Sequence, residues 1–168
     1  MTQMTQTTEA SGGIDWRAIG RELAAPFAPE AVEWRIQGKG GANARAQLVA
    51  YVSARAVAER LDDVVTPGGW SFEWTPLHVD ARGDVQTARG VLTVYGVAKS
   101  DVGTGSNFEA SKGCVSDALK RCAVLWGVGR YLYAIPAVWV TLDAKGNIPA
   151  AELGKLREAL RRRAIAAA

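Results

Sequence analysis

The segment Phe108–Trp126, FEASKGCVSDALKRCAVLW, carries the strongest helix pattern in the chain. Ala110, Cys114, Val115, Ala118, Leu119, Cys122, Leu125 and Trp126 recur at the three- and four-residue intervals that gather them on one face. Lys112, Ser116, Asp117, Lys120 and Arg121 fall on the other. Gly127 and Gly129 loosen the end. A helix of this length with one apolar stripe needs a sheet to bury it, so the flanking segments decide the architecture.

Upstream, a first helix starts at Asp15, a good N-cap, with Trp16, Ile19 and Leu23 on one face and Pro26 and Pro29 closing it. Val32–Ile36 reads as a short strand, and Gly38-Lys39-Gly40-Gly41-Ala42-Asn43 as a flexible loop. Ala46–Val52 alternates as a strand. Ser53 then caps a second helix, whose stripe is Ala54, Val57, Ala58, Leu61, Val64 and Val65, with Arg55, Glu59, Arg60, Asp62 and Asp63 outside it. Thr66-Pro67-Gly68-Gly69 stops that helix. Trp70, Phe72 and Trp74 alternate as a strand, with Pro76 marking an edge or bulge. Asp80–Asp84 is a turn, and Val85–Val97 returns as one long antiparallel strand before a loop with Gly103 and Gly105. Beyond the long helix, Val138–Leu142 is a last strand and Asp143–Asn147 a turn. Pro149 opens a final helix with Leu153, Leu156 and Leu160 on one side and Arg161-Arg162-Arg163 at its end. The fold class is α+β: a small antiparallel sheet packed against the long helix. Residues 1–13 form a disordered tail, 14–148 the core and 149–168 a basic C-terminal helix.

With 168 residues, 48% of them hydrophobic, the chain can bury one core but not two. No apolar run approaches a membrane span, and Met1–Gly13, rich in Thr and Gln, lacks the pattern of a secretion signal; the expectation is a soluble cytoplasmic protein. Cys114 and Cys122 lie two helical turns apart, about 12 Å, too far for a disulfide. They read as small buried residues in a reducing compartment. His78 is the only histidine, so no zinc-site spacing and no Ser–His–Asp set can be assembled. No segment matches a phosphate-binding loop or a dinucleotide fingerprint. No cofactor, no metal and no catalytic group is expected. A small metal-dependent nuclease would have to draw on carboxylates such as Glu73, Asp84 and Glu109.

The net charge of +3 and pI of about 9.0 suit an anionic partner, and the placement of the cations says more than their sum. Lys112, Lys120 and Arg121 line the polar side of the long helix, either as a binding ridge or as a solvated face. Arg55 stands in the first turn of the second helix, where unpaired N–H groups and a planar guanidinium favour a phosphate; pairing with Glu59 at i+4 is the alternative. Lys39 and Arg45 flank the glycine-rich loop. Arg161–Arg163 either bind an anion or complement the helix dipole. Trp70, Trp74 and Trp126 read as core or subunit contacts.

Three stretches together resemble the Rad-fifty-two family, nearest its bacterial DdrA branch. They are Ser116-Asp117-Ala118-Leu119-Lys120-Arg121-Cys122-Ala123 with Trp126–Tyr133; Tyr51–Val57 leading to Gly69-Trp70-Ser71-Phe72; and Asp101-Val102-Gly103-Thr104-Gly105. The resemblance covers about Leu23 to Tyr133. It implies a β-β-β-α core assembling into a homo-oligomeric ring with an outer groove for single-stranded DNA. In that groove Arg55, Lys120 and Arg121 hold the backbone, Lys112 matching a further basic position. It also implies ATP-independent annealing of complementary strands in double-strand-break repair and recombination, or, as the alternative, protection of 3′ single-stranded ends. Other repair proteins would be partners, and the location the nucleoid. The segment between Gly105 and Phe108 is shorter than in eukaryotic members, where it carries cations of a second DNA site. The chain also ends soon after the core, short of a recombinase-recruiting tail. Neither property is carried over.

Overall fold

The computed structural model describes the backbone of residues 13–40, 45–105 and 110–167, with side chains except at 39, 40 and 163–167. The expected N-terminal tail, the centre of the glycine-rich loop and Phe108 lie outside the described residues. The order is α1 (Trp16–Ala24), β1 (Val32–Gly40), β2 (Arg45–Val52), α2 (Ala54–Val65), β3 (Trp70–Val79), β4 (Val85–Val94), β5 (Val97–Thr104), α3 (Ala110–Leu125), a 3-10 turn (Arg130–Ala134), β6 (Val138–Thr141) and α4 (Ala150–Ala167).

The α+β class holds, but the single sheet expected from sequence is two antiparallel three-stranded sheets, ordered β1-β2-β6 and β3-β4-β5. Helix α2 intervenes between β2 and β3, so the chain starts a second sheet, and β6 returns to the open edge of β2. Two strand boundaries also change. β1 continues through Gly40, past a bulge between Ile36 and Gly38, so the expected loop begins later. Val85–Val97 is not one strand: it turns at Tyr95-Gly96, and the glycine-bearing segment expected as a loop is β5. Both turn residues have positive φ, 44° and 80°, as a two-residue hairpin loop matched to strand twist requires. Tyr95 tolerates this because its hydroxyl donates to the Val65 carbonyl at 3.0 Å and its N–H to Gly69 at 2.8 Å.

The caps follow the sequence. Asp15 accepts from the N–H groups of Arg17 and Ala18, and Ser53 from Ala56. Val57, Leu61 and Val65 of α2 are buried together with Leu23, Val52, Leu92, Val94 and Cys122. Ala46, Leu48, Val140, Leu142 and Leu156 form a second cluster between the first sheet and α4. Both cysteines are free and buried.

Helix α3 lies close on the second sheet because both surfaces are small there. Ala110, Cys114, Ala118 and Cys122 are buried, with Cys114 and Ala118 against Gly103, Ala118 against Gly90 and Ala110 against Gly105. A Cβ on Gly103 would overlap the backbone of Ala118 and Cys114, reaching 2.8 Å from the Ala118 Cα, and one on Gly90 would meet Phe72 at 2.8 Å and the Ala118 Cβ at 3.0 Å. Backbone cannot yield as a side-chain tip can. Gly103→Ala is expected to cost about 2–3 kcal/mol, seen as a lower urea midpoint at unchanged slope; an unchanged midpoint would show that α3 stands off the sheet.

Candidate functional site

The cations divide by what they already hold. Arg60, expected outside the α2 stripe, instead bends back to α1: its Nη1 donates to the carbonyls of Ala25 at 2.6 Å and Glu22 at 3.2 Å, and its guanidinium lies 4.4 Å from the Phe27 ring centre. Arg130 donates to the carbonyls of Val124 and Leu125 at the end of α3, at 2.7–3.0 Å. Lys99 donates to Leu125 at 2.9 Å with its ammonium 4.2 Å from the Trp126 ring. Arg161 pairs with Glu30 and Glu158, and Arg162 with Glu158. These cations satisfy helix carbonyls and acids of the fold.

A second set is turned outward. Arg55 is exposed on the first turn of α2, and among the described residues it forms no ion pair, with Glu59 or otherwise. Lys120 is half-buried, its ammonium 5.7 Å from the centre of the Tyr51 ring. Tyr51 sits near the end of β2, four residues before Arg55. It therefore brings the middle of α3 to the end of β2. Its hydroxyl donates to Glu33, its partner across the strand pair. Burial first, then that hydrogen bond, push the phenol up to about 12, so it stays neutral and its ring is available to a cation. Arg121 is exposed but engaged: its Nε donates to Asp117 at 3.0 Å, and Asp117 also accepts from the Thr104 N–H. Lys112 is exposed on the first turn of α3, two turns before Lys120. Arg45 opens β2, exposed and opposite Thr141 of β6. It lies six residues from Tyr51, about 20 Å along the strand. The backbone of Lys39 pairs with Ala46, and its side chain lies outside the described residues.

Strand periodicity links these points. Ala46, Leu48, Ala50 and Val52 of β2 pack inward, so Arg45, Gln47, Val49 and Tyr51 share the outer face. Across from them stand Glu33 and Arg35 of β1 and Trp139 of β6. Arg35 is exposed, and its charge opposes the rise at Tyr51, which sets it close by. The result is a polar strip from Lys120, past Tyr51 and Arg35, to Arg45, with Arg55 four residues beyond Tyr51 in the chain. Arg35, Tyr51 and Trp139 were not singled out from sequence. The alternation of Val32, Trp34 and Ile36 against Glu33 and Arg35 was the signal that could have found the first of them.

The carboxylates considered for a nuclease are dispersed. Glu73 pairs with Val91 in mid-strand, while Asp84 precedes the far end of the same hairpin, about 20 Å away; Glu109 lies outside the described residues. No group of three or more metal-binding side chains is found among the described residues. No described helix is long and apolar enough to cross a membrane.

Residues 15–149 match the family described as Rad52/22 family double-strand break repair protein. Two curated relatives carry the name single-stranded DNA-binding protein DdrA. That of Deinococcus radiodurans is 42% identical over 127 residues, 74% of this chain and 59% of the relative. That of Deinococcus deserti is 42% identical over 130 residues, 76% of this chain and 63% of the relative. The chain thus spans about three fifths of the length of these relatives.

Two arginines of α2 should separate cleanly by role. Arg60→Ala is expected to lower stability by about 1–3 kcal/mol through the orphaned α1 carbonyls. Arg55→Ala should stay within about 0.5 kcal/mol. Urea denaturation of both variants checks this; equal losses would mean that Arg55 also holds the fold together.

Proposed function

The chain belongs to the Rad52/22 family, and from that premise we propose that it binds single-stranded DNA along the cationic strip and speeds the pairing of complementary strands without nucleotide hydrolysis. The observation that carries the proposal is the Lys120 ammonium of α3 over the ring of Tyr51, four residues before Arg55, which forms no ion pair among the described residues and stands on the first turn of α2. A helix N-terminus, a free guanidinium and an ammonium there present positive potential to one phosphate chain. The names of the DdrA relatives support a single-stranded ligand.

The mechanism is physical. Each phosphate neutralised releases counterions, which drives binding and makes it salt-dependent. Phosphate contacts carry no sequence information, so any strand is held with its bases free to test register against a complement. Duplex formation supplies the free energy. Arg55 and Lys120 are the primary contacts. Arg121, already neutralised by Asp117, contributes less; Lys112, Arg45 and Lys39 extend the path. The protein acts as a non-enzymatic partner of DNA in break repair. The relatives' printed name says binding, which equally supports a second reading: coating and protecting 3′ single-stranded ends without promoting pairing.

Self-assembly into a ring belongs to the same proposal. Both edges of the second sheet lack a neighbouring strand among the described residues. Its edge strands leave Trp74, Leu77 and Val79 on β3, and Val97 and Val102 on β5, 38–56% exposed. Open edges with apolar side chains are places where a second copy can seat.

Arg55→Ala and Lys120→Ala are each expected to weaken binding of an oligonucleotide and to reduce the log–log salt slope by about one; unchanged slopes in folded variants would remove the strip from the DNA path. Mixing complementary oligonucleotides with the protein and no ATP should accelerate pairing over the spontaneous rate. Absence of acceleration, with 3′ ends shielded from an exonuclease, would favour end protection. Mass photometry should find a closed multiple of the chain mass, and monomers at all concentrations would refute the ring.

A further inference from the structure

The outer face of the first sheet holds one large side chain that the fold does not use. Trp139 alternates with Val140, which is 4% exposed and packs under α4 with Leu142 and Leu156, while the indole itself is 46% exposed. α4 packs on the opposite face, and Lys120 of α3 reaches this one only at Tyr51. The surroundings of Trp139 are polar and cationic. Gln47 is its partner across the strand pair, Arg45 stands beside it opposite Thr141, and Arg35 lies opposite Val49 on the far strand. Arg35 and Arg45 form no ion pair among the described residues. The acid on this face, Glu33, is engaged by Tyr51. An apolar protein partner would meet too much charge here, and a bare phosphate chain would have no use for the indole. A polyanion with flat aromatic groups satisfies both.

We propose that Trp139 is a base-stacking residue: one base of the bound single strand lies on the exposed indole, with Arg35 and Arg45 holding the flanking phosphates. The proposal rests on the single-strand reading above and adds to it a contact of a different kind. Every base has a π-face, so stacking needs no particular sequence. It also leaves the hydrogen-bonding edge of the base uncovered, which keeps the held strand competent to pair. The strip then has two functions along its length, with phosphate capture at Arg55 and Lys120 and base support at Trp139.

The test compares two oligomers with equal phosphate counts, thirty thymidine nucleotides and a thirty-residue abasic chain, by fluorescence anisotropy across salt concentrations. Wild type should bind the thymidine oligomer more tightly. Trp139→Ala is expected to lose roughly tenfold on the thymidine oligomer, little on the abasic one, and none of the salt slope. Trp139→Phe should recover most of the loss, and the oligomeric state should be unchanged. If Trp139→Ala binds thymidine as wild type does while Lys120→Ala is weakened, stacking is wrong and the phosphate path stands. Equal losses on both oligomers, or a changed oligomeric state, would make Trp139 a structural or subunit contact and overturn the proposal. Failure of wild type to bind either oligomer would remove both readings.

Discussion

The close seating of α3 on the second sheet is the constraint on which the rest depends. Gly90 and Gly103 leave room for Ala118 and Cys114 at backbone distance. The helix is thereby fixed in rotation, with its four-residue row of small side chains facing down. Lys120 then projects sideways, far enough to reach Tyr51 of the other sheet. A larger residue at Gly103 would meet the backbone of α3, and one at Gly90 the Phe72 ring and the Ala118 Cβ. Among the described residues no strand of one sheet pairs with a strand of the other, so side chains such as these, with the shared core, set how the two sheets line up.

Net charge is a poor guide to the site because the fold consumes much of its own positive charge. Arg60, Arg130 and Lys99 are held by carbonyls at helix ends, where they offset the negative end of the helix dipole. Arg161 and Arg162 are balanced by Glu30 and Glu158. Arg121 shares its carboxylate partner with a strand N–H, so its charge is partly cancelled where it stands. Among the cations not engaged in this way, Arg35 and Arg45 share the outer face of the first sheet with Tyr51, over whose ring the Lys120 ammonium lies. The place of a cation in the fold therefore says more about the site than the excess charge does.

The helices were legible in the sequence, because caps and apolar stripes are local signals. Asp15, Ser53 and the small-residue face of α3 stand where spacing placed them. The sheets were less so. β5 escaped because its less exposed positions carry Lys99, Asp101 and Gly103 rather than alternating apolar residues. A glycine is there to admit α3, and a lysine to reach the end of that helix and Trp126. The turn at Tyr95-Gly96 lacks an asparagine or aspartate because tertiary hydrogen bonds to Val65 and Gly69, invisible in a local window, hold the tyrosine in place. The division into two sheets is set by β6 pairing with β2 across nearly the whole chain. Of the site, Arg55 and Lys120 were visible as cations on helices. Their joint through Tyr51, the diversion of Arg60 and the place of Trp139 were not, since each depends on which strand faces which.

Holding a strand and letting it pair pull in opposite directions, because any grip on the base edges that strengthens the first slows the second. On the proposed function, the strip would resolve the conflict by the chemistry of its side chains. Guanidinium and ammonium groups act on phosphates, whose charge is the same at every nucleotide and plays no part in pairing. The exposed indole offers a flat surface to the ring of a base and no matched set of donors and acceptors to its edge. What this face lacks is equally pertinent: apart from Gln47, its side chains between Arg45 and Tyr51 carry no amide that could pair with a base edge in register. On the proposed function, affinity could therefore rise with each cation or ring added to the strip without competing with the complementary strand, and Arg60, Arg130 and Lys99 are not open to such use because they close helix ends.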